Sequence, residues 1–356
     1  MEKVLMKGNE AIGEAAIRSG CLNYFAYPIT PQSEVAEYLS RRLPEEGGNF
    51  LQGESEVAVG YMIFGAAATG ERVFTTSSSP GISLMCEAMS YSAAAELPAV
   101  FVNIVRVGPG LGGILPSQAD YFQAVKGGGH GDYRLIVLAP ASVQEAVEMT
   151  MKSFTLAEKY RNPVMILGDG LIGQMMEPVE FPEHLATERA NCDDWATNGM
   201  DTRGGKTRNL VKSLFLDAPE SYAHNLKLQA KYDKVISEQL EYETYNMDGD
   251  YQVLVVSYGT MSRVCRTAID RLKEEGIEVG MLRPQMLWPY PEQPLLEAAG
   301  AASCQAVASI EMSMGQMVED VQRCVQGKRP VHWYGKAGGE IPTPEEVIDF
   351  LKGLVK

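Results

Sequence analysis

The sequence contains no CxxC pair. Its six cysteines, Cys21, Cys86, Cys192, Cys265, Cys304 and Cys324, are dispersed, the nearest two lying 20 residues apart. That spacing argues against zinc or iron–sulfur ligation within the chain and suits reduced thiols in a cytosol. No apolar run is long enough to span a bilayer. The start, Met1-Glu2-Lys3-Val4-Leu5, shows no basic segment ahead of an apolar one. The expectation is a cytoplasmic protein with no membrane partner. Positive charge is scarce: 31 Lys and Arg against 46 Asp and Glu leave a net charge of −15, which disfavours nucleic acid and anionic lipid as partners. Histidine is scarce too, with four in 356 residues. Proton chemistry here falls to carboxylates. The GxxxxGK signature of a nucleotide P-loop is missing.

What is present is an ordinary globular composition, 45% hydrophobic and 22% charged, over a length that suits two domains. Strand-like runs fall at Tyr24–Tyr27, Phe50–Gln52, Val73–Thr76, Ala99–Val105, Leu135–Ala139 and Val164–Leu167. Helical patterns fall between them, near 32–42, 56–69, 82–95, 118–127 and 143–160, after a first helix capped by Asn9. This alternation predicts an α/β fold with a buried parallel sheet over residues 1–174. Residues 175–250 are polar and read as an extended connection with one helix near Tyr222–Glu241. Alternation resumes at Tyr251, predicting a second, smaller parallel-sheet α/β domain over 251–356.

Chemistry-bearing residues gather where predicted strands end, the edge at which open parallel sheets bind ligands. Thr30 sits in Tyr27-Pro28-Ile29-Thr30-Pro31-Gln32-Ser33. It is either turn punctuation, with Pro31 at the first helical position, or a hydroxyl held rigidly toward a polar ligand. Glu54 and Glu56 straddle Ser55. They suit a first helical turn, but Val57–Ala68 is so apolar that an adjacent carboxylate is drawn into a low-dielectric site, where it can share a proton with a cofactor nitrogen. Thr75-Thr76-Ser77-Ser78-Ser79-Pro80-Gly81 is a hydroxyl-rich turn able to hold an anion or a polar ring. Arg106 ends a buried strand before Gly108-Pro109-Gly110-Leu111-Gly112-Gly113. It serves either a structural salt bridge or a substrate carboxylate, which its fork fits. Gly168-Asp169-Gly170 imitates a magnesium–diphosphate motif, but it closes the last strand of the first sheet with no matching Asn downstream. No metal site is expected on this chain. His130, after Gly127-Gly128-Gly129, is either plain loop sequence or a mobile loop histidine over the pocket.

Taken in order, the Tyr27–Pro31 element, Gln52-Gly53-Glu54-Ser55-Glu56, Thr76–Gly81 and Arg106–Pro109 resemble the α-type subunit of 2-oxoacid:ferredoxin oxidoreductases. Ser117-Gln118-Ala119-Asp120, His130-Gly131-Asp132, Ser257-Tyr258-Gly259-Thr260 and Arg283-Pro284 extend the likeness over the whole chain. The resemblance implies a thiamine diphosphate pyrimidine-binding domain followed by a transketolase C-terminal-like domain. It implies that Glu56 hydrogen-bonds N1′ of the aminopyrimidine, that Thr30, Ser78 and Ser79 help hold the cofactor, and that Thr30 and Arg106 contact the substrate. It further implies that the diphosphate and Mg²⁺ rest on a β subunit. Iron–sulfur clusters would sit on partner chains, including a ferredoxin-like subunit, beside a γ subunit, with ferredoxin and coenzyme A as co-substrates. Within the family the chain looks most like the branched-chain, 2-oxoisovalerate type. The 2-oxoglutarate enzymes tend to carry Ser-Thr where Gly110-Leu111 stand and an acidic residue at the Ser55 position. A 2-oxoglutarate or pyruvate enzyme, or a subunit that only scaffolds such a complex, are the alternatives.

Overall fold

A computed structural model describes residues 3–182, 188–199 and 208–355. Its first half runs β1 (Val4–Lys7), α1 (Gly8–Arg18), β2 (Asn23–Ala26), α2 (Ser33–Glu45), β3 (Asn49–Gln52), α3 (Glu56–Ala68), β4 (Val73–Ser77), α4 (Ser79–Ala94), β5 (Val100–Val105), α5 (Tyr121–Val125), β6 (Ile136–Leu138), α6 (Val143–Tyr160), β7 (Val164–Asp169), α7 (Gly170–Gln174) and β8 (Met176–Val179). There follow α8 (Ala218–Glu238), β9 (Tyr242–Tyr245), β10 (Val253–Val256), α9 (Gly259–Glu274), β11 (Val279–Pro284), β12 (Met286–Trp288), α10 (Glu292–Ala299), β13 (Ala306–Glu311), α11 (Met317–Val325), β14 (Val331–Gly335) and α12 (Pro344–Lys352).

The larger sheet has the order β12-β6-β7-β5-β4-β2-β3 and is parallel except for β12. The smaller has the order β14-β13-β10-β11-β9 and is parallel except for β9. Central strands such as β5, Val-Phe-Val-Asn-Ile-Val, are buried at every position, as helices on both faces of a parallel sheet require. The two halves share one apolar cluster, which joins Phe101, Leu135 and Tyr121 to Leu254, Tyr258 and Leu282. Arg283, at 1% side-chain exposure, crosses between them: it bonds Glu145 on α6 at 2.6 and 2.8 Å and Glu243 on β9 at 2.8 Å.

Local expectations changed in several places. Asn9 does not cap α1. The helix starts at Gly8, and the Asn9 amide turns outward to donate to the Pro31 carbonyl and Glu34, both at 2.8 Å. Pro31 is not the first residue of α2. It follows a cis peptide bond, and Gln32 is the N-cap. The polar connection contributes two strands. β8 pairs antiparallel with β1, and β9 edges the smaller sheet. Just after β11, β12 returns to the first sheet beside β6. These are short pieces whose pairing is set by neighbours distant in sequence, and a local pattern does not carry that.

A candidate cofactor and substrate site at the sheet edge

β3 ends at Gln52, and Gly53–Ser55 turn the chain into α3. Ser55 caps that helix by accepting from the Ala58 N–H at 3.2 Å. Glu54 then points to solvent, while Glu56 is 7% exposed. Among the described residues the Glu56 carboxylate has neither a hydrogen bond nor an ion pair. A buried carboxylate without a partner is costly. The space beside it exists because residue 81 is glycine: a Cβ there would stand 2.7 Å from Glu56 Oε1 and closer still to Ser77 Oγ.

The next strand, β4, supplies hydroxyls at the same edge. Thr75, Ser77 and Ser78 are buried, and none of their hydroxyls has a partner. Thr76 does: it donates to Gln32 Oε1 and lies 2.7 Å from the Tyr24 hydroxyl. The Gln32 amide nitrogen is left unsatisfied. Three orphan hydroxyls, an orphan amide and an orphan carboxylate near the ends of adjacent strands fit a polar ring carrying its own donors and acceptors. The residues present therefore suit a pyrimidine-type cofactor.

Arg106 closes the other side. It is 8% exposed. Its Nη1 donates to the Thr30 carbonyl at 3.0 Å and its Nη2 to the Leu111 carbonyl at 3.3 Å. Its Nε has no partner, and no carboxylate neutralises it among the described residues. Its backbone N–H donates to Ser79 Oγ at 3.0 Å, and Ser79 Oγ lies 3.1 Å from the Arg106 carbonyl. The structure therefore links Thr30, Ser79 and Arg106 directly. Thr30 is exposed at the mouth. Both Thr30-Pro31 and Gly108-Pro109 are cis.

Asp169 has a different task. It caps α7, accepting from Leu171 and Ile172 N–H at 2.9 and 3.2 Å, and burial raises it above the ordinary carboxylate range. His130 is exposed and packs edge-on to Tyr91. The sequence reading missed Gln32, and it missed Asn103 and Asp120, which stand behind Ser79: the Ser79 N–H donates to Asn103 Oδ1 and Asn103 Nδ2 donates to Asp120 Oδ2. Asn103 carried a signal, being the one polar residue inside an otherwise apolar strand. A cavity of about 620 Å³ lies elsewhere, between α8 and the Leu287–Pro294 turn. The outer face beside Glu56 is open and apolar instead, with Val57 at 42%, Tyr61 at 38% and Leu84 at 52% exposure.

Residues 14–243 match the family model described as pyruvate flavodoxin/ferredoxin oxidoreductase, thiamine diP-bdg, and residues 252–347 match pyruvate:ferredoxin oxidoreductase core domain II. The chain is 46% identical to the ketoisovalerate oxidoreductase subunit VorB of Methanothermobacter thermautotrophicus, over 99% of this chain and 98% of that one. Against the VorB of Methanothermobacter marburgensis the identity is 48% over the same shares. The 2-oxoglutarate synthase subunit KorA of M. thermautotrophicus is 34% identical over 98% of each. Among solved structures, the 2-oxoglutarate:ferredoxin oxidoreductase from Magnetococcus marinus, with 2-oxoglutarate, coenzyme A and succinyl-CoA bound, superposes with a TM-score of 0.87 at 27% identity. It covers all of this chain and 66% of that one.

Proposed function

The chain belongs to the pyruvate flavodoxin/ferredoxin oxidoreductase family, and from that premise we propose that it is the α-type subunit of a thiamine-diphosphate-dependent enzyme that oxidatively decarboxylates 2-oxoisovalerate, yielding acyl-CoA and CO₂ and reducing ferredoxin. The observation that carries this reading is the buried, unpartnered Glu56 among unpartnered hydroxyls. Thiamine diphosphate, when bound, supplies a carbon nucleophile for the oxo group. Glu56 holds a proton at the pyrimidine N1′, and the low-dielectric wall of α3 strengthens that bond. Ser78 and Ser79 face the cofactor. Arg106 receives the substrate carboxylate through guanidinium N–H groups that its two carbonyl bonds leave free, and Thr30 stands at the oxo group. Leu111 and Ile114 are 83% and 60% exposed on the loop whose Leu111 carbonyl touches Arg106. Such aliphatic side chains suit an isopropyl tail better than a second carboxylate.

In this reading residues 1–174 form the pyrimidine-binding domain, 175–250 the connection and 251–356 the transketolase C-terminal-like domain. The apolar face of Val57, Tyr61 and Leu84 takes a β subunit carrying the diphosphate and Mg²⁺. A γ subunit and a ferredoxin-like iron–sulfur subunit complete a cytoplasmic complex that uses coenzyme A and ferredoxin. No helix among the described residues is long and apolar enough to cross a membrane.

The test is anaerobic. The native complex is isolated through this subunit, and viologen reduction is followed with thiamine diphosphate, coenzyme A and a panel of 2-oxoacids. Fastest reduction with 2-oxoisovalerate is expected. Preference for 2-oxoglutarate or pyruvate would overturn the substrate assignment. No activity with any 2-oxoacid, in a complex that retains its clusters, would overturn the catalytic reading.

A further inference from the structure

Behind Ser79 lies a second row of polar groups, the buried Asn103 and the half-buried Asp120. The Ser79 N–H donates to Asn103 Oδ1 at 3.0 Å, and Asn103 Nδ2 donates to Asp120 Oδ2 at 2.8 Å. Asp120 also faces the Ser79 hydroxyl. Among the described residues it makes no salt bridge. Burial raises its carboxyl above the ordinary range, opposed by the Ser79 and Asn103 bonds. Such a group contributes little to stability through charge, so its bonds need another account.

The segment carrying Asp120 is clamped by the second half of the chain. The Gln118 backbone N–H donates to the Met312 carbonyl, and its side-chain oxygen accepts from the Met312 N–H, both at 2.9 Å. Its side-chain nitrogen donates to the Tyr258 carbonyl at 2.9 Å. Gln316 grips both sides of Asp120, donating to the Ala119 carbonyl at 2.6 Å and accepting from the Phe122 N–H at 2.9 Å. Tyr121 donates to Asp320 at 2.8 Å. The turn that supplies Met312 and Gln316 is itself fixed by Glu311, which accepts from Ser313 Oγ and from the N–H groups of Gln316, Met317 and Val318.

We infer that Asp120 is a positioning residue: held from behind by the second domain, it fixes Asn103 and the first turn of α4, and through Ser79 the backbone of Arg106, so that the guanidinium is set for its anionic ligand. Groups that bind substrate need such support from behind to hold their geometry. This rests on the reading of Arg106 as the residue for the substrate carboxylate.

The experiment compares wild type, Asp120→Ala, Asp120→Asn, Arg106→Ala and the double variant Asp120→Ala/Arg106→Ala, each as the purified complex, with viologen reduction against 2-oxoisovalerate concentration. Asp120→Ala is expected to raise KM about tenfold, with kcat changed by less than about threefold, the size expected when a charged group loses its alignment. Asp120→Asn keeps an oxygen for the Asn103 amide and is expected to restore KM to within about threefold of wild type. The double variant is expected to match Arg106→Ala alone, since two residues acting through one contact are not additive. Unchanged KM in Asp120→Ala, while Arg106→Ala raises it, overturns the positioning role and leaves the Arg106 reading intact. Multiplied effects in the double variant overturn it too, because Asp120 then acts on something else. Unchanged KM in Arg106→Ala overturns the reading of Arg106 and this inference with it.

Discussion

Gly81 and Glu56 approach so closely that a Cβ on residue 81 would lie 2.7 Å from the Glu56 carboxylate oxygen. The glycine is the third residue of α4, whose first turn faces the first turn of α3. Gly81→Ala is therefore expected to push the carboxylate from its place, at a cost of about 1–3 kcal/mol of overpacking. Thiamine-dependent viologen reduction should fall at least about tenfold, while the complex still assembles. Wild-type activity in a folded Gly81→Ala complex would show that the position of Glu56 is not critical.

Glu56→Gln tests the same group chemically. The amide fits the same space and keeps one oxygen, but it holds no ionisable proton. Turnover is expected to fall by about 10²–10⁴-fold, the usual worth of a positioned proton-transfer group, with the melting temperature of the complex near wild type because the amide fills the same space. The exposed Glu54 provides the control: Glu54→Gln should leave the rate near wild type. The reverse ranking would move the role from residue 56 to residue 54.

Much of this site was legible because its signals are local. An apolar helix directly after Glu-Ser-Glu announces a buried carboxylate, and a serine run between a strand and a helix announces hydroxyls at a sheet edge. The residue pattern alone did not say which of the two glutamates goes inside; the resemblance pointed to Glu56, and with Ser55 as the helix cap it is Glu56 that is buried. Gln32 and Thr76 are bonded across 44 positions, and Asn103 and Asp120 across 17. Such pairs arise from the order in which strands lie side by side, and periodicity carries no information about that order. The same limit hid β9 and β12. Each is only three or four residues long and antiparallel, and each is held by a sheet edge already built by other strands.

Arg283 is buried between carboxylates from different parts of the chain, Glu145 and Glu243. Removing it leaves both without their shared cation. Arg283→Met is expected to destabilise the protein by about 3 kcal/mol, the lower end for breaking a buried ion pair, because both carboxylates remain partly in water. Chemical denaturation should report this as a lower midpoint. A Glu145→Gln/Arg283→Met pair should recover part of the loss. If Arg283→Met unfolds at the wild-type midpoint, the bridge does not hold the two halves together.

Lys231 offers a test of pH dependence away from the proposed site. Burial lowers it to about 8, below its ordinary 10.5, and the neighbouring Arg161 and Lys227 charges push the same way while Glu96 opposes them. Its ammonium reaches the Arg161 carbonyl at 3.1 Å and Glu96 only at 3.9 Å. Glu96 has Lys227 as its closer partner. Because the folded value lies below the unfolded one, the charged lysine is a cost, present in full below pH 8 and absent above pH 10.5. Lys231→Met is expected to stabilise the protein by about 1–2 kcal/mol at pH 7, less than the full shift implies because the bond to the Arg161 carbonyl is lost as well. That advantage should shrink steadily between pH 8 and 10.5, as the wild-type side chain sheds its proton in the folded state first. Denaturant midpoints of the two proteins at pH 7 and pH 10 measure the difference. A gap that stays constant, or widens with pH, would mean that Lys231 keeps an ordinary affinity for its proton despite its burial.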